Sequence, residues 1–309
     1  MHKISGRWKL GLALSITTAT MWGMLPIALK GLLDTIDSVT ITWYRFAVSL
    51  FFVALLLFKN KQLPNWSWTK KPSLVALFMV VILGLSSNYI LYLLGLDRVS
   101  ASAAQIVIQI APLLLLLGGI VVFKENFSAS QWTGVIIFVT GLLLFFNHRL
   151  DSIIGSSSNY NWGLLLVVFS AIGWAGYALA QKQLLLKYNS QQILFVTYIA
   201  ASILFFPSSE IMSVEKLDST QWFLLIFCCI NTLIAYGCFA EALEHWEASR
   251  VGAVLAITPL MTIIFAYFTN LIYPDYLLLE PLNWLSLVGA LILVIGSLTT
   301  ALSKKKQGR

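Results

Sequence analysis

Ten stretches of the chain are apolar over roughly the 20 residues that a helix needs to cross a bilayer. They cover residues 10–29, 39–58, 74–95, 102–123, 130–146, 162–181, 192–207, 221–241, 250–272 and 283–302. Each is continuously apolar rather than alternating, which predicts helices and not a barrel. The first stretch follows Lys3, Arg7 and Lys9, as a secretory leader would. It is longer than an h-region of about 7–15 residues and lacks a small-residue cleavage site, so it reads as a retained first helix. The pattern predicts an all-α integral membrane protein with ten transmembrane helices.

Composition narrows the function. Charged residues make up 11% of the chain, less than half of the roughly 25% found in soluble domains. A soluble enzyme, a disordered chain and a nucleic-acid binder are thereby excluded. The net charge of +7 does not mark a polyanion partner, because the basic residues sit in short runs between apolar stretches. With both termini placed in the cytoplasm, 15 Lys and Arg fall inside and 4 outside, a strong positive-inside bias. Trp8, Trp66, Trp68, Trp132, Trp162, Trp222 and Trp284 fall at span ends, where interfacial aromatics belong. Cys228, Cys229 and Cys238 share one apolar run without metal-ligand spacing and read as small buried hydrophobes. No cofactor or metal is expected.

The two halves align. A shift of 152 brings Thr18, Trp22 and Ser38 onto Ser170, Trp174 and Ser190. A shift of 147 brings Asp97, Ala101-Ser102 and Pro112 onto Glu244, Ala248-Ser249 and Pro259, and one of 155 brings Glu125, Gly134 and Gly141 onto Glu280, Gly289 and Gly296. The ordered series predicts a duplicated five-helix unit. The expected organisation is a first repeat over 1–147, an external connection over 148–161, a second repeat over 162–302 and a basic cytoplasmic tail over 303–309. Five is odd, so the second unit enters the membrane from the opposite side. The expected architecture is thus two inverted five-helix repeats (5+5), a device by which transporters exchange inward-open and outward-open states.

These residues resemble the drug/metabolite transporter (DMT) superfamily, EamA type, over roughly residues 10–302. The resemblance rests on the ten spans, the Trp in the first helix of each unit, the Arg in span two and the matching Glu–x8–Gly–x6–Gly closings. It implies a secondary transporter in the cell inner membrane, with a central cavity lined by the first four helices of each unit and a peripheral fifth helix. Exporters of amino acids and other metabolites occur in the family, and some importers. The chain departs from symmetry at Arg45, whose repeat position holds Thr197.

Arg45 is the sharpest candidate, the one Lys or Arg well inside a span. A charge there costs about 2.5–3.5 kcal/mol on insertion scales, which makes it a functional hypothesis by default. No Asp or Glu lies deep in any span, so its partners are carbonyls, polar side chains, water or an anionic ligand, and a guanidinium suits a carboxylate or phosphate. The alternative is a structural or gating Arg. Ser102, Gln105, Gln109 and Pro112 share one face of span four, which suits a cavity or interhelical hydrogen bonds. Asn88 and Tyr92 share a face of span three; Ser170, Trp174, Tyr177 and Gln181 form a stripe on span six; Thr18, Trp22 and Pro26 form its counterpart on span one. Asn231 and Tyr236 share a face of span eight loosely. Rings and amides suit a pocket for a small amphipathic metabolite, or simply pack helices. Pro112 and Pro259 predict matched kinks, as hinges or as static bends.

Gly134, Gly141, Gly289 and Gly296 read as packing positions, and Glu125 and Glu280 as structural acids favouring a helix dipole. Glu241, Glu244 and His245 read as a solvated helix end. Walker A, H-E-x-x-H and G-x-S-x-G motifs are absent from the sequence. The expected function is alternating-access transport of an amino acid or related organic anion, with export preferred by resemblance, protons left open as a coupling ion, and a monomer or weak homodimer as the unit. The alternatives are a membrane-embedded enzyme on lipid-like substrates and a structural or sensory membrane protein.

Overall fold

The structure, a computed structural model, describes residues 5–99, 104–105, 107–125, 127–145, 147, 158–274 and 283–302. Ser102, Glu280 and the tail 303–309 lie outside the described residues. Regular structure among the described residues is helical throughout. The helices are α1 (Trp8–Leu33), α2 (Ser38–Lys59), α3 (Pro72–Arg98), α4 (Ile110–Phe123), α5 (Ala129–Phe145), α6 (Ser158–Leu184), α7 (Ser190–Phe205), α8 (Ser219–His245), α9 (Ala248–Leu255), α10 (Thr258–Ile272) and α11 (Trp284–Leu302). Seven segments are long and apolar enough to cross a membrane, the broken pair α9–α10 counting as one. Three shorter apolar helices accompany them. At 1.5 Å per residue a 26-residue helix such as α1 spans about 39 Å, enough for hydrocarbon and both interfaces.

Local chemistry sets the ends. The Asp37 carboxylate accepts from Val39 N and Thr40 N to start α2, and the Asn189 side chain accepts from Gln192 N to start α7. Asp218 and Gln221 form a capping box at α8. Such polar first turns lie outside an apolar window, so helices overrun the expected spans by a few residues. For the same reason α6 begins at Ser158, inside the expected 148–161 connection.

Spans four and nine are interrupted rather than kinked. Residues 108–109 form a turn before α4, and Ala256–Ile257 separate α9 from α10. Pro112 then sits in the first turn of α4 and Pro259 in the first turn of α10. A helix start has no donor to lose there, which makes a break cheaper than a mid-helix proline.

The bundle is apolar outside and keeps its buried polar side chains within a largely apolar interior. Phe58, Val121, Ile136, Phe223 and Trp284 are exposed, whereas Thr18, Ser49, Gln181, Asn231 and Thr232 are fully buried. That is the distribution for a lipid solvent, where interhelical hydrogen bonds replace a hydrophobic drive. α1 lies along α8 and α3 along α6; α2 packs on α7, α4 on α9 and α5 on α11. In the last pair a Cβ on Gly289 would overlap the Phe145 backbone and one on Gly296 the Phe138 backbone. The two backbones meet directly, so these glycines serve packing as expected. Asn147 and Asn283 exchange amide hydrogen bonds at one end of the pair.

Candidate functional site

The interruptions open a cavity of about 100 Å³, room for several waters and apolar on most of its wall. Arg45 of α2 reaches it, with Asn88, Tyr89 and Tyr92 of α3 and Trp22, Leu25 and Pro26 of α1. Gln105, Ile108 and Gln109 come from the segment before α4, with Ala111 and Pro112 from its first turn. Trp174 of α6, Tyr236 of α8, Leu255 of α9 and Thr258 of α10 complete it.

Arg45 is 3% exposed. Its Nε donates to Thr232 Oγ1 at 2.9 Å, and its guanidinium carbon stands 4.2 Å from the centre of the Tyr89 ring. Thr232 is saturated by this arrangement: its hydroxyl donates to the Cys228 carbonyl and accepts from both Arg45 and Tyr89 Oη. Among the described residues no carboxylate pairs with Arg45 and its terminal nitrogens carry no hydrogen bond. One face of the guanidinium lies on a ring, one edge is fixed, and the other edge is left for the cavity.

The amides divide into two kinds. Asn88 is fully engaged: its Nδ2 donates to Ser170 Oγ at 2.9 Å, its Oδ1 accepts from Tyr236 Oη at 3.3 Å, and its carbonyl accepts from Ser170 Oγ at 3.0 Å. Gln105 Nε2 donates to Tyr92 Oη and Gln109 Nε2 to the Gln105 carbonyl, both at 3.3 Å. The buried Oε1 atoms of both glutamines have no partner among the described residues. Two unpaired buried acceptors are costly in a low-dielectric interior, and in the same cavity as a cation without a carboxylate they invite a ligand carrying both signs of charge.

The far wall is aromatic. Trp22 meets Trp174 edge-on at 5.5 Å and Tyr236 at 5.1 Å. Tyr89 and Tyr236 stand 5.5 Å apart. The fully buried Phe239 packs on both tryptophans, at 5.7 and 5.0 Å, behind this wall.

Of the residues singled out in the sequence, Arg45, Gln105, Gln109, Asn88, Tyr92, Trp22, Trp174, Pro26 and Pro112 line this cavity. Tyr177, Asn231 and Pro259 are not among its lining residues. Tyr177 packs behind the wall on Tyr236 and Phe239. Asn231 donates to the Met21 carbonyl, next to the Trp22 carbonyl that Pro26 deprives of its donor. Thr258 takes the place expected of its neighbour Pro259. Sequence reasoning passed over Tyr89 and Thr232, the two residues that hold Arg45; spacing of three from Tyr92 was the signal available for Tyr89.

Two acidic clusters differ from expectation. His245 is 2% exposed, not solvated. Its Nε2 lies 3.2 Å from Glu241 Oε1 and its Nδ1 2.8 Å from Ser5 Oγ, because the N-terminal segment folds over the end of α8. Glu125 does favour a helix dipole, but that of α9 rather than α5: its carboxylate accepts from Ala248 N and Ser249 N.

The profile of the EamA-like transporter family matches twice, at residues 9–147 and 161–302. An uncharacterized transporter of Haemophilus influenzae is 37% identical over 96% of both chains. The uncharacterized inner membrane transporter YhbE of Escherichia coli (strain K12) is 35% identical over 97% of this chain and 93% of its own. A solved crystal structure superposes with a TM-score of 0.73 at 15% identity, covering 94% of this chain and 97% of that one, and shows the shared fold. An unpaired cation, matched helix interruptions and a double profile match over nearly the whole length agree: the chain belongs to the EamA-like transporter family.

Proposed function

We propose that this protein is a secondary transporter of the inner membrane, moving a small zwitterionic or anionic metabolite, an amino acid or organic acid, by alternating access. The observation that carries the reading is Arg45, a buried cation whose free edge faces an aromatic-walled cavity. It binds the carboxylate; the Gln105 and Gln109 oxygens and the Trp22, Trp174 and Tyr236 rings receive an ammonium or N–H group. Asn88 and Asn231 hold the helices that carry the site. The inner-membrane setting follows the printed name of YhbE, and export is the direction preferred by family resemblance. The cavity is built within one chain, which suits a monomeric transport unit.

Alternating access rests on two inverted five-helix repeats, 1–147 and 162–302, with both termini cytoplasmic. Contacts that recur at matched positions support this. Thr18 Oγ1 donates to the Ala235 carbonyl and Ser170 Oγ to that of Asn88. Both donors are separated by 152 and both acceptors by 147, the shifts found in the sequence. Trp22 touches its counterpart Trp174, and Tyr89 its counterpart Tyr236. Such self-paired contacts suit residues close to a two-fold axis.

The test is counterflow into proteoliposomes with a panel of amino acids, organic acids, sugars and quaternary amines. Accelerated exchange of a carboxylate-bearing solute is expected. Exchange confined to solutes without a carboxylate, or none at all with correctly inserted protein, overturns the reading.

A further inference from the structure

Three elements run from the cavity to one face of the protein. α4 starts at the cavity with Ala111 and Pro112 and ends at Phe123; α6 passes it at Trp174 and ends at Leu184; α9 starts at Ala248 and reaches it with Leu255. α4 and α9 lie backbone to backbone, since a Cβ on Gly252 would stand 2.9 Å from the Pro112 carbonyl oxygen. At the far end all three meet one carboxylate. Glu125 Oε1 accepts from Lys182 Nζ of α6 at 2.7 Å and from Ala248 N at 3.0 Å, and Glu125 Oε2 accepts from Ser249 N at 3.1 Å.

The turn that aims this carboxylate is specific. Lys124 caps α4 in the left-handed conformation (φ 52°), and Glu125 N donates to the Gly119 carbonyl, which folds the chain back over the helix end. Gly119 leaves the room: a Cβ there would stand 2.6 Å from Glu125 Oε2. Both charged side chains are nearly buried, at 3% for Lys182 and 10% for Glu125. Phe239 lies outside the cavity lining, packed on Trp22, whereas Tyr92, its counterpart by the 147 shift, lines it.

We infer that Glu125 is the latch of the transport path on this face, holding α4, α6 and α9 together while the cavity is reached from the other side. Opening the face requires α4 to part from α9, and that parting breaks both hydrogen bonds from α9 to the carboxylate, while Lys182 ties the same carboxylate to α6. Burial raises the carboxyl pKa, but the Lys182 ammonium and the hydrogen bonds from Lys182 and Ser249 outweigh it and hold the group below its ordinary value. The latch is therefore charged in the closed state. Lys30, the counterpart of Lys182 by the 152 shift, donates to the Leu96 and Val99 carbonyls at 2.8 and 3.3 Å, and the counterpart of the carboxylate, Glu280, lies outside the described residues.

This inference rests on the transport reading, and its test needs no substrate. In the full chain with Cys228, Cys229 and Cys238 replaced by Ala, Thr258→Cys places a thiol in the cavity wall. A membrane-impermeant maleimide is added to sealed vesicles from the Glu125 side. Slow labelling is expected with Glu125 intact and with Lys182→Arg. Glu125→Gln and Lys182→Gln should label about tenfold faster, the population shift from losing one charge-assisted contact. Gly119→Ala, whose Cβ would displace the carboxylate and press on Ser249 N of α9 without altering charge, should do the same and replaces Glu125→Gln if that variant does not fold. Unchanged labelling in folded Lys182→Gln and Gly119→Ala overturns the latch. Absent counterflow alongside the expected labelling overturns the transport reading instead.

Discussion

Consider Arg45 replaced by alanine. The fold loses the charge-assisted bond to Thr232, about 1.5–3 kcal/mol, and the Tyr89 ring contact, about 0.5–2 kcal/mol. It also loses a buried cation, whose removal returns about 2.5–3.5 kcal/mol on insertion scales. The terms nearly cancel, so thermal unfolding in detergent should move by only a few degrees. Binding has no such offset. Removing one partner of a buried, hydrogen-bonded charge pair costs about 2–5 kcal/mol, which at 1.4 kcal/mol per decade is about 30-fold to several-thousand-fold in Kd. Arg45→Lys keeps the charge but not the planar group lying 4.2 Å over Tyr89, and should fall between the two. The assay is competition by the carboxylate solute selected in counterflow, run beside a melting curve of each variant. If Arg45→Ala and Arg45→Lys both retain full affinity for an anionic solute, Arg45 does not bind substrate and the assigned role is wrong. If instead Arg45→Ala melts far below the parent, the cation is a structural pin.

Gln109→Leu should weaken a zwitterionic solute by about tenfold while sparing a simple carboxylate, because the unpaired Oε1 is worth roughly one hydrogen bond to a charged group; equal losses for both solutes would refute the ammonium subsite. Gly289→Leu should lower the melting temperature more than any cavity variant, since its side chain would enter the Phe145 backbone and overpacking of this kind costs about 1–3 kcal/mol or more. An unshifted melting curve would show that α5 and α11 do not meet as described. The Glu125 carboxyl, held below its ordinary value in the fold, stabilises above the unfolded pKa and loses that contribution as pH falls through the folded one. The stability difference between parent and Glu125→Gln should thus be flat from neutral pH down to the ordinary carboxylate range and shrink only below it. A difference that shrinks near pH 7 would contradict the charged latch.

Much of the architecture was legible because lipid imposes a simple rule: spans of fixed length, polar groups kept inside. That rule located seven long apolar helices and three shorter ones, and put Arg45, Trp22, Gln105, Gln109 and Tyr92 on cavity-facing positions. It could not separate a kink from a break at Pro112, since both satisfy the same apolar window; the break arises where the freed backbone groups face a cavity. Nor could it distinguish Asn88, whose hydrogen bonds are all filled by Ser170 and Tyr236, from Gln105 and Gln109, whose oxygens are not. Both are amides on an apolar helix, and only their partners across the bundle differ. Glu125 escaped for a related reason. Its sequence neighbours suggested the dipole of α5, whereas the left-handed turn at Lys124 sends the carboxylate to α9.

On the proposed repeat, the positions where the two halves differ carry as much information as those where they agree. Tyr92 lines the cavity, while its counterpart Phe239 packs behind the tryptophans of its wall. A static duplication would have no need for counterparts in unlike surroundings. In a rocking pair, the surroundings of each counterpart should exchange when the bundle opens to the other face. Arg45 has no such counterpart, because Thr197 stands in its place. On the proposed transport reading one cation would serve both states and remain at the pivot, where Tyr89 and Thr232 hold it. Tyr89 belongs to the pair it forms with Tyr236, near the axis where exchange moves atoms least. On that reading a charge fixed there would meet the same carboxylate from either side of the membrane, which makes a single unsymmetric arginine compatible with a symmetric machine.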